Sequence, residues 1–110
     1  MSAHKAHAAD VFAALGDPTR LALVATLSRG ERRSLASLAS NTRLTRQAVA
    51  KHLRVLQGAG LVRHSRDGRE SRYALEAAPL DEARDYLASV SAHWDDALER
   101  LKAMVEDSSS

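Results

Sequence analysis

The chain has 110 residues, 16 Lys and Arg against 14 Asp and Glu for a formal charge of +2, and no cysteine. That length fits one domain, and 45% hydrophobic with 27% charged residues describes a globular chain rather than a disordered one. The missing cysteine excludes disulfides, a thiol nucleophile and thiolate metal ligands, and no apolar run approaches the ~18–20 residues of a membrane span.

The opening residues MSAHKAHAADVF lack the apolar stretch of a signal peptide, so a cytoplasmic protein with no membrane partner is expected. The small net charge is the sum of two opposed segments. Residues 42–72 hold eight bases (Arg43, Arg46, Lys51, Arg54, Arg63, Arg66, Arg69, Arg72) against Asp67 and Glu70, a balance of +6. Residues 76–107 hold nine acids against three bases, a balance of −6. A split of this kind fits one surface that meets a polyanion and another that does not.

In chain order, Ala6 to Leu15 reads as a short helix, with residues 1–7 expected as a flexible tail before a domain over 8–107 and residues 108–110 as a second tail. Gly16-Asp17-Pro18 interrupts it. Asp17 suits the N-cap of a second helix and Pro18 its first position, with Leu21, Val24 and Leu27 as its inward face. Gly30 is a natural stop. Ser34 is the next N-cap, opening a helix over Leu35 to Ser40. Asn41 to Leu44 make a tight connection in which Asn41 tolerates a left-handed backbone. Thr45 caps a longer helix, Arg46 to Gln57, ended by Gly58 and Gly60. The period then changes to two strands, Leu61–Ser65 and Ser71–Leu75, with Asp67-Gly68 in a turn wider than two residues. Pro79 opens a last helix reaching Val105. Its apolar positions, among them Leu80, Ala83, Leu87, Val90, Trp94, Leu98 and Leu101, are spaced mostly three and four apart. About 26 residues make a helix about 39 Å long, more than a small domain covers with its own core, so part of this seam is expected to meet a second chain.

The expected fold is mainly α with a small β-hairpin: a winged helix-turn-helix of five helices and a two-stranded wing. The second helix of such a pair can enter the major groove of duplex DNA. On Arg46–Gln57, Val49, Leu53 and Leu56 form an apolar stripe, while Arg46, Gln47, Ala50, Lys51 and Arg54 fall opposite. Arg can pair with guanine and Gln with adenine through two hydrogen bonds each, and Ala50 allows close approach. Thr45 and the helix start can bind a phosphate. Arg66 and Arg69 flank the wing tip, where narrow minor grooves attract Arg; Arg72 can instead pair with Glu70. His52 and His64 have no companion nucleophile or acid at a catalytic spacing, so no enzyme is expected.

The stretches VFAALGDPTRLALVATL, LTRQAVAKHLRVLQGAGLVRHSRDGRESRYAL and AHWDDALERL resemble the ArsR-type bacterial transcriptional regulators over roughly residues 9–105. The resemblance implies a winged-helix homodimer whose first and last helices pair across a two-fold axis, placing Val11, Phe12, Leu87, Val90, Trp94, Leu98 and Leu101 at the interface. It also implies binding to a roughly palindromic DNA operator, usually in repression. Two departures add positive charge beside the reading unit: Arg33 replaces an apolar residue before the Ser34 cap, and Thr42-Arg43 replaces Leu-Gly in the turn.

Many relatives release DNA on binding a metal. The helix that carries cysteines in some of them reads Leu35-Ala36-Ser37-Leu38-Ala39 here. In the last helix His93 stands alone near Asp95 and Asp96, a poor first-row site. The expectation is therefore no cofactor and a repressor without the thiolate sensor, resembling the metal-independent branch, with any effector or protein partner unidentified. Two alternatives remain. One is a Ni- or Cu-responsive regulator using His4, with His7 beside it, through a free Ser2 amine and two amide nitrogens. The other is a winged-helix adaptor that binds protein instead of DNA, which would be expected to lack the arginines of the reading face and wing.

Overall fold

The structure, a computed structural model, describes residues 3–108 and the side chains of 8–107. Five helices and three strands follow in the order α1 (Ala3–Leu15), α2 (Pro18–Leu27), β1 (Arg33–Ser34), α3 (Leu35–Ser40), α4 (Arg46–Gly58), β2 (Val62–Asp67), β3 (Glu70–Leu75) and α5 (Ala77–Ser108). The sheet is antiparallel in the order β1-β3-β2.

Capping chemistry sets most boundaries. Asp17 accepts hydrogen bonds from the N–H groups of Thr19 (2.9 Å) and Arg20 (3.1 Å), and Pro18 follows at the first helical position. Ser34 and Thr45 accept from the N–H groups of Ser37 and Ala48, each at 3.1 Å. Helix α4 runs through Gly58 and stops at Gly60, whose φ of +77° suits glycine. The bonds Gly60 N–H to Gln57 O (3.0 Å) and Leu61 N–H to Leu56 O (3.0 Å) close the end as a Schellman motif.

Five expectations are corrected. Helix α1 begins at Ala3 rather than Ala6. The wing sheet has three strands, not two. Ser34, held extended (φ −73°, ψ 156°) as a cap, lies with Arg33 beside β3, pairing Arg33 with Tyr73 and Ser34 with Arg72. Two residues of Arg and Ser carry no strand signal of their own. The wing turn is tight: Asp67 pairs with Glu70, leaving only Gly68 and Arg69 in the loop. Gly68 has φ +66°, and no described non-glycine residue has positive φ, which is the type II′ pattern rather than I′. In α2 the inward face is Leu23, Val24 and Leu27, whereas Leu21 is exposed. Asn41 keeps φ −91°, because Thr42 closes the connection instead. Its hydroxyl donates to Ala39 O (3.0 Å) and accepts from the N–H of Leu44 (3.1 Å).

The core gathers Val11 of α1, Leu23, Val24 and Leu27 of α2, Leu38 of α3, Val49, Leu53 and Leu56 of α4, Leu61, Val62 of β2, Tyr73 of β3 and Ala83 of α5. Val11 is 1% exposed and so belongs to this core, not to a surface that a second chain could reach. Each fully buried Val or Leu contributes about 1.5–3 kcal/mol relative to exposure, and the three from α4 fix the rotation of that helix.

Helix α5 behaves differently. It starts two residues before Pro79, whose missing N–H falls in the first turn where none is needed. Its 32 residues span about 48 Å at 1.5 Å each. It packs on α1 through Ala83 and through Tyr86, whose ring lies 6.3 Å from that of Phe12. Beyond Ala83 the apolar seam is uncovered: Leu87, Val90, Trp94, Leu98 and Leu101 are all exposed. The chain measures 72 × 32 × 21 Å, with a radius of gyration of 19.4 Å against about 13 Å for a compact domain of this length. No described helix is long and apolar enough to cross a membrane.

Candidate nucleic-acid interface

Helix α4 divides cleanly. Val49, Leu53 and Leu56 are fully buried, and on the other side Arg46, Gln47, Lys51 and Arg54 are exposed with Ala50 half-buried. At 100° per residue those five occupy about 140° of the helix circumference, the width of a groove-facing surface. Neither of the two arginines nor the lysine forms an ion pair among the described residues. Thr45, directly before them, is exposed, with its hydroxyl engaged by Ala48 N–H.

The wing sorts its arginines by partner. Arg63 pairs with Glu76 at 2.9 Å. Arg72 takes both wing acids, Glu70 at 2.9 Å and Asp67 at 3.5 Å. Arg66 and Arg69 are exposed and have no ion-pair partner among the described residues. The structure thus brings Arg69 to the tip and Arg66 one ladder position behind it, opposite Ser71. A cleft of about 320 Å³ between the wing and α4 is walled by Arg46 and Arg69 together, with Ser34, Glu70 and Ser71.

One positioning network has only a partial sequence signal. Arg20 donates from Nε to Ala14 O at 2.6 Å, and its Nη1 lies 3.3 Å from His52 Nδ1. Asp17 Oδ2 lies 3.8 Å from the same nitrogen. Arg20 N–H and Thr19 N–H, with the nearby His52 and Arg20 side chains, hold the Asp17 carboxyl below its ordinary value against a smaller opposing effect of burial. The end of α1, the start of α2 and the middle of α4 are thereby tied. The Asp17 cap is legible in the sequence; its reach to His52, 35 residues on, is not.

Among the described residues no three His, Asp or Glu side chains converge to hold a metal ion. His93 is exposed on α5. The side chains of His4 and His7 lie outside the described residues.

A helix-turn-helix domain profile matches residues 15–65. The chain is 39% identical over 67 residues to a Synechocystis protein named as a transcriptional repressor SmtB homolog, covering 61% of this chain and 50% of that one. It is 40% identical over 77 residues to the HTH-type transcriptional regulator CmtR of Mycobacterium tuberculosis, covering 70% and 64%. The chain thus spans half to just under two thirds of the length of these curated relatives. An ArsR-like transcriptional regulator from Rhodococcus sp. RHA1 superposes with a TM-score of 0.78 at 41% identity, over 91% of this chain and 93% of that one. Fold, reading helix, wing and these likenesses agree: the chain belongs to the ArsR-type winged helix-turn-helix transcriptional regulators, a class without enzymatic activity.

Proposed function

We propose that the chain is a sequence-specific DNA-binding repressor acting as a homodimer. The observation that carries this reading is the face of α4, where four polar or cationic side chains without ion-pair partners stand opposite a fully buried apolar stripe. Gln47, Ala50, Lys51 and Arg54 face the major groove, Thr45 and Arg46 stand at the helix start, and Arg66 and Arg69 carry the wing to the backbone. Repression as the sign of regulation is supported by the name of the Synechocystis relative.

The dimer is supported by the uncovered seam of α5. Leu87, Val90, Trp94, Leu98 and Leu101 are 45–64% exposed, a contiguous apolar surface of the kind that marks a partner interface. Phe12, half-buried against Tyr86, borders it; Val11 does not take part. The absence of cysteine from the chain supports regulation without a thiolate sensor.

Binding of fluorescent genomic duplexes by the purified chain tests this reading. Gln47→Ala is expected to cost roughly 1–3 kcal/mol on the preferred duplex and to relax base preference at one position. A wild-type chain that binds every duplex equally at 150 mM salt, or none, contradicts it.

A further inference from the structure

We propose that Arg46 of α4 and Arg69 of the wing act as one clamp on a single backbone phosphate of the DNA, so that Arg46 sets position rather than reading a base. The inference deepens the DNA-binding reading above and rests on it.

Three observations carry it. First, the two guanidinium-bearing side chains come from elements 23 residues apart in sequence and wall the same cleft, about 320 Å³, with the hydroxyl-bearing Ser34 and Ser71 beside them. Second, both arginines are exposed and neither has an ion-pair partner among the described residues. Third, the acid in the cleft wall is already neutralised. Glu70 is held by Arg72 at 2.9 Å, and the same guanidinium reaches Asp67 at 3.5 Å. Arg72 therefore removes from Arg69 the only two acids of residues 42–72. Two unpaired cations facing one cleft, with its carboxylate occupied elsewhere, leave a site that fits an anion.

The chemistry selects phosphate. A guanidinium fork matches two oxygens of a phosphodiester, and two forks from different elements can take one group from two sides. Arg46 is the first residue of α4 and borders the wing, whereas Gln47, Lys51 and Arg54 continue along the open face. A residue committed to the seam between helix and wing is placed to grip the strand that runs between them. The clamp also gives the wing a function in register: it fixes where α4 enters the groove.

The test is a salt titration of anisotropy, using the full chain on its preferred duplex and on a scrambled one. The variants are Arg46→Ala, Arg69→Ala, the double variant and Arg46→Lys, with circular dichroism confirming that each is folded. Each single Ala variant is expected to weaken both duplexes by about tenfold, and the second substitution to add less than about threefold. The double variant is expected to lower the salt slope by about 1.8, the value for one phosphate per protomer of the bound dimer. Arg46→Lys keeps the charge without the fork and is expected to fall between wild type and Ala. Duplexes with a single methylphosphonate, scanned along each strand, should show wild type losing affinity at one phosphate in each half-site, to which both Ala variants are indifferent. Multiplying costs, a slope change of about 3.6 in the double variant, or two different phosphates within one half-site would overturn the clamp while leaving DNA binding intact. A change in base preference with Arg46→Ala would do the same. A wild-type chain that binds neither duplex would remove both the clamp and the reading beneath it.

Discussion

Replacing Leu98 with Asp should split the proposed homodimer without unfolding the protomer. Leu98 lies on the part of α5 that no other described element covers, and it is 45% exposed. Complete burial of a leucine contributes about 1.5–3 kcal/mol, so covering the remaining part contributes about 1 kcal/mol per protomer. A two-fold interface counts it twice, about 2 kcal/mol in all, which raises the dimer Kd roughly 30-fold in Leu98→Ala. Aspartate forfeits the same contact and also places a carboxylate, and its symmetry mate, in an apolar seam, costing several kcal/mol more. Sedimentation equilibrium at micromolar protein should therefore show Leu98→Asp as a monomer, with wild-type helicity by circular dichroism. The helicity distinguishes the outcome from loss of fold, since the core residues of α4 and α2 are untouched. If Leu98→Asp combined with Leu87→Asp still sediments as a dimer, α5 is not the interface.

Further outcomes follow from individual contacts. Arg20→Ala removes the bond to Ala14 O and the contact with His52, and should lower stability by about 1–2 kcal/mol in urea denaturation; a loss below about 0.5 kcal/mol would mean the network does not tie the helices. For Asp17, the folded carboxyl titrates below its ordinary value. Its charge therefore contributes stability fully present above about pH 4, the unfolded value, and lost as pH falls through the lower folded one. Asp17→Asn keeps the cap without the charge, so its urea midpoint should trail wild type at pH 6 and converge with it in acid; a gap independent of pH would contradict the argument. Gly68→Ala forces a β-carbon onto φ +66° and should cost about 1 kcal/mol, read as faster hydrogen exchange of the wing amides. Unchanged exchange would rule out the type II′ turn.

Much of the fold was written in local chemistry. Asp17, Ser34 and Thr45 announce three helices because each offers a side-chain oxygen to N–H groups that have no other partner. Val49, Leu53 and Leu56 are separated from Arg46, Gln47, Lys51 and Arg54 by the helical period alone. What was not legible depends on tertiary position. The seams Leu21/Val24/Leu27 and Leu23/Val24/Leu27 are both helical, and only packing decides between them. Val11 has the composition of an interface residue and the burial of a core one. Strand β1 exists because the Ser34 cap must be extended, and it pairs only once β3 lies beside it.

The candidate site divides along the same line. Its residues are local and could be named from α4 and the wing. Their pairing is not: Arg72 claims Glu70 and Asp67, which frees Arg66 and Arg69, and the seam between α3, α4 and β3 puts Arg46 beside Arg69. Charge counting gives +6 for residues 42–72 but cannot say which cations remain unpaired.

Selection from a random duplex library by the purified chain at 150 mM salt, followed by sequencing, tests the central claim most directly. The prediction is an enriched inverted repeat whose half-site centres lie about one helical turn, roughly 10–10.5 base pairs, apart, as a two-fold dimer with one α4 per half-site requires. A pool that stays unenriched, or converges on a single site without internal symmetry, would contradict it.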